Sequence, residues 1–224
     1  VSTPYKFPEE HGDIPLITSE ATLQGATAEY RGYPLLDVIS RASPTEDAEL
    51  LLIRATDGYA FFLSMDELRN NPSLLLSPQG KGDEASYHVV GPENSKAWVR
   101  GVAELIVFGS ASLEITGALE DPRPYQPAEW QFEMDSTRLD VGLGPNKYQG
   151  ASFGEVLKSM NPAGDAVTVI LYGEGEEISL GLDEILADDE IRIFTIIDQD
   201  EISFAVARMD GEVISAQVSR IEVR

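Results

Sequence analysis

The sequence predicts an α+β fold built as two tandem domains, and three observations predict it. A chain of 224 residues suits one large domain or two of roughly 100 residues each. Short apolar runs bounded by Gly, Pro and Asp alternate with stretches of helical period. The order of those segments then occurs a second time.

Residues 1–20 hold three prolines and no helical period, so they read as an extended arm. Arg31-Gly32-Tyr33-Pro34 is a turn signal. Leu35, Leu36, Val38 and Ile39 follow at the spacing of a buried helix face, and Ser43-Pro44 stops that helix. Glu49 to Ala55 is the apolar run of a buried strand, Asp57-Gly58 a hairpin turn, and Tyr59 to Leu63 the returning strand. Ser64 with Glu67 has capping-box spacing, which starts a helix running to about Asn70. A loop over residues 77–85 leads to strands at about Tyr87 to Val90 and Val102 to Phe108.

Tyr148-Gln149-Gly150 matches Tyr30-Arg31-Gly32, Phe153, Val156 and Leu157 take the helical positions, and Asn161-Pro162 repeats the stop. Ala166 to Tyr172 repeats the buried strand, and Leu180, Asp183 and Glu184 match Leu63, Asp66 and Glu67. Strands are expected at Ile191 to Ile197, Ile202 to Arg208 and Gln217 to Val223. Order and spacing kept through so many segments point to a tandem duplication. The expected domains are 1–110 and 111–224, joined at Gly109-Ser110-Ala111-Ser112, with Leu113 to Gly117 opening the second as a strand and a proline-rich loop at 121–128.

Composition excludes several functions. The net charge is −23, and a surface so acidic repels the phosphates of nucleic acid and anionic lipid. Cysteine is absent, which removes disulfides, thiolate metal sites and a cysteine nucleophile. No apolar run approaches the ~18 residues that cross a bilayer, so membrane insertion is not expected. The chain starts at Val1 with neither a charged segment nor an apolar one behind it. That start suits a mature exported or surface-anchored protein or a domain excised from a longer one; the expected location is extracytoplasmic or cell-surface anchored, with the cytoplasm as the alternative.

Several motifs in order resemble the oxidoreductase molybdopterin-binding domain of the sulfite oxidase type. They are Tyr30-Arg31-Gly32-Tyr33-Pro34-Leu35, Asp57-Gly58-Tyr59, Leu63-Ser64-Met65-Asp66-Glu67, and Gly91-Pro92 leading to Lys96-Ala97-Trp98-Val99. The resemblance covers about three quarters of the first repeat and a skeleton of the second. It implies two tandem sulfite-oxidase-like domains with mixed β-sheets and short helices, and a cleft for a pterin or molybdopterin-like ligand. Enzymes of that family carry molybdenum on a cysteine thiolate just before the Tyr-x-Gly motif. Here that segment is Ala21 to Thr27, without cysteine, so the resemblance does not carry the catalysis.

If the resemblance holds, Arg54, Asp57, Tyr59, Lys96 and Trp98 cluster in the first repeat, where an aromatic shelf beside a cation and a carboxylate could hold a flat heterocycle. Read separately, Asp57-Gly58 is a turn, Trp98 a core or rim aromatic and Lys96 a solvated charge. The second repeat keeps neither the aromatic nor the cation. Its acidic runs, Glu174 to Glu177, Asp188 to Glu190 and Asp198 to Glu201, lie in expected turns and lack the EF-hand spacing. The expectation is a non-catalytic binding or interaction protein that takes a pterin-like ligand in its first repeat. The alternatives are a surface scaffold that binds proteins and no small ligand, and a carboxylate-based enzyme.

Overall fold

The computed structural model describes residues 13–23, 25–80, 86–91, 98–173, 175–198 and 201–224. The chain divides into two compact units, Val1–Ser110 and Ala111–Arg224.

In the first unit, β1 (Ile17–Leu23) and β2 (Ala26–Pro34) form a hairpin that leads into α1 (Leu35–Ser40). Next come β3 (Leu50–Ala55), β4 (Ala60–Ser64), α2 (Met65–Asn70), β5 (Leu75–Gln79), β6 (Ser86–Val90) and β7 (Val102–Phe108). They make two antiparallel sheets, ordered β1-β2-β5-β6 and β4-β3-β7. One core joins them, with Leu51, Ile53 and Leu63 from the second sheet meeting Leu76 and Val89 from the first. Leu50, Leu52, Phe62, Ile106 and Phe108 on the other face of the second sheet are buried too. That is why Glu49 to Ala55 reads as a continuous apolar run and not as an alternation.

The second unit opens with β8 (Glu114–Gly117) and α3 (Pro127–Trp130), then β9 (Asp135–Asp140), β10 (Pro145–Ser152) and α4 (Phe153–Lys158). It continues through β11 (Thr168–Tyr172), β12 (Glu177–Gly181), α5 (Leu182–Ala187), β13 (Ile191–Asp198), β14 (Glu201–Arg208), β15 (Val213–Ser215) and β16 (Arg220–Val223). Its sheets run β9-β10-β13-β14-β15 and β12-β11-β16-β8. From β9 onward, the order and pairing are those of the first unit; β8, α3 and β15 have no counterpart among its described residues. The larger sheet curls into a half-barrel, so that Thr137 on β9 donates its hydroxyl to the carbonyl of Met209 just beyond β14, at 2.8 Å. A small second core of Leu139, Tyr148, Phe194, Ile196, Ala205 and Ala207 packs on one face of this sheet.

The expected α+β class is overturned, while one sheet, β12-β11-β16-β8, is mixed as expected. Strand makes up 50% of the structure and helix 16%, so the fold is β-rich. Four of the helices have six residues each, too short to stand alone, and they act as connectors pinned by the sheets. The single parallel pairing among the described strands is β8 with β16.

Three local readings also change. Arg31 to Pro34 and Tyr148 to Gly150 lie inside strands β2 and β10, not turns. The glycine of the repeated Tyr-x-Gly is needed for lateral room. A Cβ on Gly32 would come within 2.9 Å of the Leu75 Cβ, and one on Gly150 within 2.7 Å of the Phe194 ring. The extended arm gives way to strand from Ile17 onward, residues 1–12 lying outside the described residues. Ser77 to Gln79, expected in a loop, pair with β6.

The helix starts follow the sequence closely. Ser64 accepts a hydrogen bond from the Glu67 N–H at 3.0 Å, and Ser152 accepts from the Glu155 N–H at 3.3 Å. Each satisfies a donor that the first helical turn leaves open.

Candidate functional site

Of the five residues singled out in the first repeat, Arg54, Asp57 and Tyr59 sit at one end of the β3–β4 hairpin, and each is engaged locally. Arg54 Nη1 donates to Glu104 Oε2 on β7 at 2.9 Å. Asp57 accepts from the Tyr59 N–H at 3.0 Å and so closes its own turn, in which Gly58 takes a φ of +85°. Tyr59 is half-buried against the core, and burial together with the Asp57 charge holds its phenol above the usual value. Trp98 meets Tyr30 of β2 edge-on, with ring centroids 5.1 Å apart. Lys96 lies outside the described residues.

The corresponding hairpin of the second unit carries a network that the sequence reading did not single out. Tyr172 stands opposite Arg220, whose guanidinium lies 3.9 Å from the centre of the tyrosine ring. The Tyr172 hydroxyl donates to Glu222 at 2.6 Å and accepts from Arg224 at 2.8 Å, while Arg224 also holds Glu222 through two bonds of 2.8 and 3.0 Å. Arg224 and Tyr172 together pull the Glu222 carboxyl down to about 2. The readable signal was Arg220-Ile221-Glu222-Val223-Arg224, charges at every second position of a strand whose other face is apolar.

The acidic run at Asp188 is likewise spoken for. Asp188 pairs with Arg208, which also reaches Glu184 at 3.4 Å. Among the described residues no group of three His, Cys, Asp or Glu side chains is placed to hold a metal ion. No helix among them is long and apolar enough to cross a membrane.

The second unit carries a shallow cleft of about 500 Å³ beside β8, lined by Glu114, Ile115, Thr116, Arg123 and Ser219 and walled by Pro122 and Pro124. Its construction follows from the backbone. Leu113 and Tyr125 exchange N–H···O bonds of 2.9 and 2.8 Å, forming an isolated rung between β8 and the returning loop. Pairing does not continue to Ile115 and Arg123. Main-chain groups two residues apart in a strand point to the same side, so the N–H and C=O of Ile115 face the cleft as those of Leu113 face Tyr125. The other edge of β8 is held by β16, in register from Glu114–Arg220 to Gly117–Val223.

The cleft therefore offers an unpaired strand edge, and the Ile115 side chain itself is buried in the core beneath it. Arg123 donates to Ser159 at 3.2 Å and has no carboxylate partner among the described residues. The sequence signal for this place was the pair of prolines around Arg123, which cannot donate to a neighbouring strand. No family model, no curated protein and no solved structure matches the chain.

Proposed function

We propose that the chain is a non-catalytic binding protein and that its second unit receives an extended polypeptide segment of a partner along the free edge of β8. The observation that carries this reading is the isolated Leu113–Tyr125 rung, beyond which the loop leaves the main-chain groups of Ile115 facing an open cleft. An unpaired strand edge is a template for another strand: main-chain hydrogen bonds supply affinity and the flanking side chains supply selectivity. The cleft volume lies within the ~300–1,000 Å³ typical of binding sites. A net charge of −23 favours a neutral or basic partner, which it steers by long-range attraction. The pterin-like reading of the first unit has less support, because Arg54 already pairs with Glu104 and Asp57 closes its own turn. The shared order of elements supports a tandem duplication, with β8 as an addition to the second copy.

The test is selection of phage-displayed random linear peptides on the full chain, followed by binding to two variants. Ile115→Pro removes the N–H on the free edge and leaves Glu114 and Thr116 to bond with β16. Ile115→Val keeps the N–H and controls for lost side-chain volume, at about 0.5–1.5 kcal/mol of stability. Selected peptides should bind wild type and Ile115→Val and lose Ile115→Pro. Peptides indifferent to Ile115→Pro, or no enrichment at all, would sink the proposal. A thermal-stability series with molybdopterin and reduced pterins tests the rival reading. A ligand at a hundred times its Kd contributes about 2.7 kcal/mol, so such a rise without any peptide selected would replace the peptide with a heterocycle.

A further inference from the structure

The interior of the second unit carries polar atoms that its own hydrogen bonds leave unmet. Tyr125 is wholly buried, and its ring meets Phe204 of β14 edge-on with centroids 5.8 Å apart. Phe204 stands opposite Thr195 of β13, and Thr195 stands opposite Gln149 of β10. All three side chains lie on the face of the sheet that looks into the main core, since Ile193 and Ala151, two residues along the same strands, belong to that core. The Thr195 hydroxyl is near enough to the Tyr125 phenol to oppose the upward push that burial gives its pKa. Yet the Tyr125 hydroxyl, Thr195 Oγ1 and Gln149 Oε1 are all shut off from solvent with no hydrogen-bond partner.

Buried polar atoms in native proteins are almost all paired, with protein groups or with ordered water. The amide oxygen of Gln149 can only accept, whereas each hydroxyl can donate once and also accept. A direct bond between Tyr125 and Thr195 would still leave Gln149 Oε1 orphaned. A water molecule donates two hydrogen bonds and accepts others, and buried waters are found where buried polar groups lack protein partners. We propose that the core of the second unit holds one structural water that donates to Gln149 Oε1 and bridges the hydroxyls of Tyr125 and Thr195. The water ties down the side chain of the residue whose backbone forms the rung with Leu113, so it braces the mouth of the cleft from within.

An atomic-resolution crystal structure of the full chain tests this directly. The expected result is an ordered solvent peak within hydrogen-bonding distance of all three atoms, and its loss in the Tyr125→Phe/Thr195→Val double variant. A double-mutant cycle of Tyr125→Phe and Thr195→Val gives the second readout. If both groups share one water, each single substitution lowers the unfolding midpoint nearly as far as the pair does. A map with Tyr125 bonded directly to Thr195 and no solvent peak would overturn the proposal, as would strictly additive losses. Should the variants fail to fold, the wild-type map decides alone. None of these outcomes depends on whether a peptide binds at β8.

Discussion

Gly117 is the position where one methyl group should do most damage. It ends β8 with a φ of +102°, opposite Val223, and a Cβ placed there would lie 2.0 Å from the Val223 carbonyl oxygen and 2.8 Å from its nitrogen. Both atoms are backbone, and that oxygen already accepts the Ala118 N–H at 2.7 Å. The clash can be relieved only by moving β8 away from β16. Gly142 provides the control, because its φ is +93° and a Cβ there meets nothing within 4 Å. Gly142→Ala should therefore cost only the backbone penalty of a left-handed conformation, about 1–2 kcal/mol. Gly117→Ala carries the same penalty, loses rungs worth about 1 kcal/mol each and re-exposes Ile115, worth about 1.5–3 kcal/mol. Its total should exceed about 4 kcal/mol, which is exceptional for a single substitution. Urea unfolding measures it. Trp98 and Trp130 lie one in each unit, so a Trp98→Phe background leaves fluorescence that reports the second unit alone. If Gly117→Ala proved no worse than Gly142→Ala, the parallel β8–β16 pairing and its geometry would be refuted.

Two further outcomes follow from the same geometry. Ser64→Ala and Ser152→Ala each remove a helix N-cap and should cost about 1 kcal/mol, each in its own unit; equal shifts in both units after either change would contradict the assignment. Glu222 has its pKa lowered from 4.5 to about 2, first by Arg224 and then by Tyr172, so its contribution to stability is complete above about 4.5 and is lost as pH falls through about 2. Glu222→Gln should flatten the acid dependence of the second unit across that window. A carboxyl NMR titration should place Glu222 near 2 in wild type and higher in Arg224→Met; an ordinary midpoint in wild type would dissolve the network.

The strands and caps that announced themselves in the sequence were those with a local cause. Glu49 to Ala55 had nowhere to go but a covered strand, and Ser64 with Glu67 marks the start of α2. What misled was glycine. Gly32 and Gly150 follow tyrosines in runs that resemble turns, but they are glycines because Leu75 and Phe194 on neighbouring strands need the room, a fact of tertiary packing with no local trace. The β-rich class was hidden for a related reason. The polar strands β1 and β9, with sequences ITSEATL and DSTRLD, pair along hairpins and carry little apolar periodicity. The candidate cluster in the first unit was legible as residue types but not as partners, since only folding brings Glu104 to Arg54. The cleft of the second unit depends on where a strand pairing stops, and a sequence shows where prolines are without showing which strand they leave unpaired.

The most direct test of the binding account is residue-resolved amide hydrogen exchange on the full chain, alone and with a selected peptide. The Thr116 N–H points towards β16 and should exchange slowly in both states. The Ile115 N–H should exchange quickly in the free chain and become protected when the peptide is added. An Ile115 amide as slow as Thr116 before any peptide is present, or one left unprotected by a peptide that binds, would contradict the account.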